Sequence, residues 1–139
     1  IPALGVDAPV TGVALNTDGS MSVPDNLWTA AWLESGPVPG GPGKAVIAAH
    51  RGIGYPALFD DLEALRPGDA IYVSDASGAQ LTYVVRSVNS MSLDAAAQNA
   101  VFGPSAQKDL VLVTCFGRYM PAAGTYDHRL VVVAQLVTP

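Results

Sequence analysis

The feature that most constrains this chain is that its apolar runs are short and rich in valine. Stretches such as 45–49, 110–113 and 130–134 each stop at a polar side chain or a turn. β-Branched side chains favour strands, and runs of this length match strands better than helices. The 14 glycines and 11 prolines of the chain predict many turns. We therefore expect a fold dominated by β-strands.

The order of the elements follows from the same pattern. Strands are predicted at residues 10–15, 21–23, 44–49, 70–74, 81–88, 109–114 and 130–136. The first two should form a hairpin, because the turn sequence Asn16-Thr17-Asp18-Gly19 separates them. Leucines at helical spacing predict a short helix at 57–65, and Asp94 is placed to cap a second one through residue 100. A loop is predicted at 118–127.

Seven or eight strands with two or so short helices fit a closed or nearly closed β-barrel. Closure of the sheet removes exposed strand edges, which is the usual solution for chains of this type. The chain of 139 residues has the size of one domain, and no linker divides it. Because it begins at Ile1 and not at a methionine, we interpret it as a single excised domain, residues 1–139.

Composition and charge argue against several classes of protein. Half of the residues are apolar, 14% are charged and the net charge is −5, as in a folded globular domain. The seven lysines and arginines are scattered, so neither nucleic acid nor an anionic lipid surface is expected as a partner. No apolar run approaches the roughly 18 residues that a membrane-spanning helix needs.

Three chemically useful side chains stand where a predicted strand meets a loop. Cys115, the only cysteine, follows one apolar strand, His50 follows another, and Arg129 precedes the last. A single cysteine excludes an internal disulfide and a multi-cysteine metal site. Functional residues often occupy such positions, because the strand fixes the backbone and the loop leaves room for a substrate.

These three residue types suit acyl transfer by a cysteine nucleophile. A nearby cation favours the thiolate, a histidine can donate a proton to a leaving amine, and an arginine can hydrogen-bond an oxyanion. Simpler interpretations are a buried inert thiol, a structural histidine, and a surface arginine paired with an acid such as Asp127. His128 competes with His50, although it would face away from Arg129 on a strand.

The sequence around these residues resembles the sortase family. Leu112-Val113-Thr114-Cys115 is similar to the sortase signature Leu-x-Thr-Cys, and residues 45–50 resemble the strand that ends in the sortase histidine. Residues 65–69 resemble the family's Leu-x-x-Gly-Asp turn, and residues 126–132 resemble the segment with the sortase arginine. The order of the three side chains agrees with the family, and the resemblance runs over nearly the whole chain.

Within the family, the start of the chain is most similar to the class F sortases. Asp18-Gly19 and Val23-Pro24 carry that likeness. The chain departs from the usual pattern at Ala49, where sortases commonly have glycine before the histidine, and at Arg51, which is more familiar from classes D and E. Phe116 also replaces the first glycine of a pair common in class F.

The resemblance implies a cysteine transpeptidase that uses no metal or other cofactor. It implies Cys115 as the nucleophile, His50 as the acid and base, and Arg129 as the substrate and oxyanion ligand, with Thr114 in a supporting role. Phe116, Tyr119 and Trp32 either line the substrate groove or pack against the barrel, and for Trp32 we favour packing. We expect Asp60 and Asp61 to be solvated charges and not calcium ligands.

The resemblance also implies substrates and a location. The expected donor is a protein with a C-terminal Leu-Pro-x-Thr-Gly-like signal, cut between threonine and glycine through a cysteine thioester, and the expected acceptor is a cell-wall precursor amine. The domain should be a monomer at the extracellular face of a bacterial membrane, held by an N-terminal anchor that this chain lacks. The residues themselves leave open a thiol hydrolase that uses water and a non-catalytic β-barrel binding module.

Overall fold

The structure, a computed structural model, describes residues 1–137 and is dominated by one β-sheet. Its strands are β1 (Val10–Val13), β2 (Ala30–Leu33), β3 (Gly43–Ala48), β4 (Ala70–Ser74), β5 (Gln80–Ser92), β6 (Lys108–Met120) and β7 (Thr125–Leu136). One α-helix, α1 (Ala95–Phe102), joins β5 to β6, and short 3-10 helices occupy Pro2–Leu4 and Leu62–Ala64. The predicted fold class, mostly β with seven or eight strands, is confirmed.

The sheet curls, so that strands far apart in the strand order face a common interior. The order is β1-β2-β3-β6-β7-β5-β4, yet Val10 of β1 and Ile71 of β4 line the same cavity of about 670 Å³. Within residues 1–137 no strand ladder joins β1 to β4. The apolar side chains of Ile1, Leu4 and Val6 pack against the core on this side. The sheet is therefore a curled half-barrel, and apolar side chains near the N-terminus pack at its open side.

The central strands are buried on both faces. Ile47 and Leu110 belong to the main core inside the curl, whereas Val46 and Val111 face the other way and pack with Val101 of α1. Successive side chains of a strand point to opposite faces, so a strand buried on both needs a nearly continuous apolar run. No helix in the described part of the chain is long and apolar enough to cross a membrane.

Asp94 caps α1 as the sequence predicts. Its side chain accepts a hydrogen bond of 3.0 Å from the backbone N–H of Ala97, which satisfies one of the unpaired donors of the first turn. The helix then buries Ala97 and Val101, one turn apart, against the sheet. α1 is thereby fixed over the outer face of β3, β6 and β7.

The predicted hairpin between residues 10–15 and 21–23 is wrong except around its turn. There Leu15 and Met21 form an isolated antiparallel bridge, and the N–H of Ser22 donates to the carbonyl of Ala14, but β1 itself pairs in parallel with β2. β2 is almost completely buried and anchored to β3, so it offers β1 a rigid partner. A returning strand at 21–23 would run directly into Pro24, which has no N–H for a ladder.

The helix predicted at 57–65 is also wrong, since this segment is built from turns and one short 3-10 helix. Leu62 and Leu65 are buried in the main core, so their spacing reflects burial and not helix type. The Asp60 carboxylate accepts from the backbone N–H of Ala57 at 3.0 Å. Side-chain acceptors of this kind compete with helical backbone bonds.

The loop predicted at 118–127 is largely strand. β6 and β7 both continue into it and leave residues 121–124 as the turn of a long hairpin. Gly117 has a φ of 88°, which glycine adopts without strain, and it accompanies a register shift that lets β6 continue. The rings of Tyr119 and Tyr126, opposite one another, pack edge to face with centroids 5.5 Å apart.

Lys44 of β3 generates a prediction about α1. Its Nζ donates to the carbonyl oxygens of Asn99 at 3.2 Å and Ala100 at 3.0 Å, where a cation offsets the negative end of the helix. Lys44→Met keeps the apolar stem but removes these bonds, which together stabilise the helix by about 1 kcal/mol. Amide hydrogen exchange in α1 should therefore become about fivefold faster, with exchange in β6 unchanged.

The matched control is Lys108→Met, which removes a charge from an exposed residue at the start of β6. It should leave exchange in α1 as it is in the unaltered protein. Equal exchange rates in Lys44→Met and the unaltered protein, or equal acceleration by Lys108→Met, would contradict the role of Lys44.

Candidate active site

Three adjacent strands bring His50, Cys115 and Arg129 into one row. β6 and β7 are antiparallel, and their register places Cys115 directly opposite Arg129. β3 runs parallel to β6, with Ala48 paired to Val113. Continuing that register by two residues places His50 beside Cys115, just past the end of β3. The three residues singled out from the sequence thus meet at one level of the sheet.

The row borders a groove of about 510 Å³ on the α1 side of the sheet, which we call the catalytic groove. His50, Cys115 and Arg129 all line it. Much of the remaining wall is apolar and is contributed by Met21, Val23, Leu93, Ala97, Val101 and Phe102. Leu93 and Phe102 are exposed at the rim. Such a groove can hold apolar side chains of a ligand next to a polar, reactive row.

Cys115 is half-buried and carries a free thiol. It lies in the catalytic groove and is accessible there, whereas the flanking Thr114, although it also lines the groove, is only 3% exposed. This placement differs from that of an inert core cysteine, which has no path to a ligand. In the described part of the chain, no group of three or more His, Cys, Asp or Glu side chains is arranged to hold a metal ion.

His50 is held through both its ring and its backbone. Its Nε2 lies 2.6 Å from the carbonyl oxygen of Pro24. Because a carbonyl only accepts, Nε2 carries the hydrogen of that bond. The His50 carbonyl accepts from the N–H of Phe59 at 3.1 Å, and the Thr114 hydroxyl donates to the carbonyl of Ala49 at 2.8 Å. The buried Thr114 therefore ties the histidine segment to the cysteine strand.

Arg129 is oriented by backbone and hydroxyl oxygens. Its Nη1 donates to the carbonyls of His128 at 2.9 Å and Tyr126 at 3.3 Å, and its Nη2 donates to the Thr125 hydroxyl at 3.2 Å. Within residues 1–137 it makes no ion pair with a carboxylate. The guanidinium is thus fixed at the catalytic groove without neutralisation of its charge.

His128 lies on the face of the sheet opposite to that of Arg129, as expected for adjacent residues of one strand. It pairs across the strands with Phe116, and its Nδ1 is 2.7 Å from Oδ1 of Asp127. The hydrogen bond from His128, and then that from the N–H of Arg118, lowers the pKa of the Asp127 carboxyl below its usual range. His128 does not line the catalytic groove.

Three aromatic residues lie outside the catalytic groove. Phe116 packs against the main core beneath the Arg51 guanidinium, whose central carbon is 5.1 Å from the ring centroid. Tyr119 packs against Tyr126 in the β6–β7 hairpin. Trp32 packs against the main core, as we favoured from the sequence. Phe116 thus lies behind the row, and Tyr119 lies beside it.

Sequence reasoning missed the two walls of the catalytic groove. α1 was predicted, and its apolar residues Ala97 and Val101 at a spacing of four do indicate one buried face. The spacing gives no sign of which part of the sheet that face covers. Residues 21–23 were taken for a strand that follows a turn, and nothing in this segment indicated a position across from α1.

Comparisons with known proteins bear on the family and the fold of the whole chain. The family model described as "Sortase domain" matches residues 1–137. Sortase C-1 from Actinomyces oris is 23% identical with a TM-score of 0.73, and the match covers 100% of this chain and 71% of that one. For sortase C1 from Streptococcus agalactiae the identity is 24% and the TM-score 0.75, with coverage of 100% and 65%. No curated protein matches.

A third similar structure is the sortase D5 transpeptidase from Clostridium perfringens, which is 21% identical with a TM-score of 0.74 over 99% of this chain and 76% of that one. These identities establish a shared fold, and the family match covers nearly the whole sequence. The named structures are sortases of classes C and D, so the class F resemblance stays a prediction. Membership indicates a cell-surface enzyme that joins protein substrates with sorting signals to amine acceptors. This chain belongs to the sortase family of cysteine transpeptidases.

Proposed function

We propose that residues 1–139 form a single catalytic domain that cuts a Leu-Pro-x-Thr-Gly-like signal between threonine and glycine. The acyl group is then transferred to a cell-wall precursor amine. One observation carries the proposal: the register of β3, β6 and β7 sets His50, Cys115 and Arg129 in one row along a partly apolar groove. No metal or other cofactor takes part in this reaction.

Cys115 is the nucleophile. Its thiolate attacks the threonine carbonyl carbon, a C–S bond forms, and the carbonyl oxygen becomes an oxyanion. Arg129, directly across the strand pair from Cys115, donates hydrogen bonds to that oxyanion or to the substrate backbone. The C–N bond then breaks, and protonated His50 gives a proton to the leaving glycine amine. A thioester between the substrate and Cys115 remains.

The second half of the reaction resolves the thioester. An acceptor amine attacks the carbonyl carbon, His50 takes the proton that the amine loses, and the Cys115 thiolate leaves as the new amide forms. Water can replace the amine and give hydrolysis. The supporting residues act from behind and beside the row: Thr114 through its bond to Ala49, Phe116 beneath Arg51, and Tyr119 in the β6–β7 hairpin.

The wall of the catalytic groove supports the kind of signal we propose. Its apolar residues on α1 and in the segment 19–23 match the leucine and proline that precede the scissile threonine. We propose further that the domain is a monomer of class F, that it acts at the extracellular face of a bacterial membrane, and that an N-terminal anchor holds the full-length protein there.

A thiol hydrolase with water as the acceptor would use the same nucleophile. It differs only in whether an added amine enters the product. A non-catalytic binding module is disfavoured, because Cys115 is half-exposed in a groove and is not buried in the core.

The proposed function is tested with a Leu-Pro-x-Thr-Gly peptide, with and without a glycine or diaminopimelate peptide as the acceptor. Mass spectrometry should show cleavage between threonine and glycine, and an amide product once the amine is added. Cys115→Ala should abolish both, because no other cysteine is present. Cleavage that the amine never diverts would indicate a hydrolase, and cleavage that persists in Cys115→Ala would exclude this mechanism.

The two histidines provide a matched pair of variants. His50→Ala should lower kcat/KM for the same peptide by at least about 100-fold, because the leaving amine loses its proton donor. His128→Ala should leave kcat/KM within about twofold, because His128 lies on the other face of the sheet. Steady-state kinetics measure kcat/KM for both variants. Equal losses of kcat/KM in the two would contradict the assignment of His50.

Arg129→Lys keeps the charge but removes the planar set of donors. We expect a loss of about 100-fold or more in kcat, the usual effect of removing an oxyanion ligand. Arg118→Lys, an exposed site on the same hairpin, serves as the control and should retain activity. Full activity of Arg129→Lys would show that only the charge, and not the donor geometry, is required.

A further inference from the structure

Tyr126 contacts two of the three segments that carry the row of His50, Cys115 and Arg129. Its backbone carbonyl accepts a hydrogen bond of 3.3 Å from Nη1 of Arg129. Its side-chain hydroxyl donates to the carbonyl of Gly52 at 2.7 Å, and Gly52 lies two residues after His50. One residue of β7 therefore joins the arginine to the histidine segment, although it does not line the catalytic groove.

Gly52 is held in a fixed position two residues after His50, so its contacts also determine where the His50 backbone lies. Its N–H donates to Oδ1 of Asp60 at 2.7 Å, and the other carboxylate oxygen accepts from the N–H of Ala57. A Cβ at position 52 would clash with the backbone carbonyl of Tyr55, so no side chain fits there. Asp60 is thus a structural hydrogen-bonding residue and not the solvated charge that we expected from the sequence.

Arg51 links the same segment to the cysteine strand. Its guanidinium lies over the ring of Phe116, the residue after Cys115. Its Nη1 also donates to the carbonyl of Asp60 at 3.0 Å and to Glu63 at 3.1 Å. A cation over an aromatic face is attractive, and these bonds hold the arginine in that place. Of the two residues after His50, Arg51 is therefore attached to β6 and Gly52 to β7.

We propose that Tyr126 is a positioning residue that sets His50 against Cys115 and Arg129. This inference rests on the proposed function, in which His50 exchanges protons with the leaving and entering amines. Without the Tyr126 hydroxyl, the Gly52 carbonyl loses its donor from β7, and the backbone that carries His50 gains freedom. A small displacement of a catalytic group lowers the rate of the chemical step more than it lowers substrate affinity.

The test is Tyr126→Phe, which removes only the hydroxyl. We expect kcat to fall about tenfold, with KM within about twofold of its original value, because the apolar walls that bind the peptide are untouched. The melting temperature should fall by no more than about 5 °C, the effect of one hydrogen bond. Tyr72→Phe is the control, since it removes the same group from an exposed residue on the edge strand β4 and should change neither constant.

A kcat within about twofold of the unaltered value would overturn the proposal. So would a rise in KM equal to the fall in kcat, which would place Tyr126 in substrate binding, or an equal loss in Tyr72→Phe. Each of these results leaves the proposed function intact, because the unaltered protein still transfers the peptide.

A second readout needs no turnover. The chain has two histidines, so the His50 ring signals in an NMR spectrum are identified by their loss in His50→Ala. These signals should shift or broaden in Tyr126→Phe and stay unchanged in Tyr72→Phe. If the unaltered protein transfers no peptide, the proposed function fails. The NMR comparison still tests whether Tyr126 positions His50, because it requires no catalysis. Identical His50 signals in all three proteins would overturn it.

Discussion

The register of β6 between β3 and β7 is the constraint on which the site depends. Leu110 and Val111, consecutive residues of β6, are fully buried on opposite faces of the sheet. A slip of one residue in β6 would exchange the faces of all its side chains and move Cys115 away from α1. Burial on both faces opposes such a slip. The row of His50, Cys115 and Arg129 is therefore a consequence of how the core packs.

The alternation of side chains divides the site into a reactive layer and a supporting layer. Cys115 opens into the catalytic groove. Of its neighbours in sequence, Phe116 packs against the main core, and the buried Thr114, in the groove wall, donates its hydroxyl to the Ala49 carbonyl. Thr114 fixes the backbone just past the end of β3 through Ala49, and the Phe116 ring lies beneath the Arg51 guanidinium. The two residues that flank the cysteine thus link β6 to both sides of His50 along the chain.

The sequence predicts this site better than it predicts the connections around it. The positions of the row follow from three polar residues at the ends of apolar strands, which are local features. The pairing of β1 with β2 and the continuation of β6 past Gly117 depend on contacts between distant segments, which no local pattern contains. The interior position of Phe116 could have been predicted from the sequence, because adjacent residues of a strand point to opposite faces.

The surroundings of Arg129 are what allow an arginine to serve a developing anion. Both N–H groups of Nη1 and one of Nη2 are used by neutral oxygens of β7, which fix the plane of the guanidinium. Of its five donors, the Nε–H and one Nη2–H remain without a protein partner within residues 1–137. A carboxylate in place of these oxygens would orient the side chain equally well, but it would neutralise the charge. Orientation by neutral acceptors keeps both the charge and the donors available to a substrate oxygen.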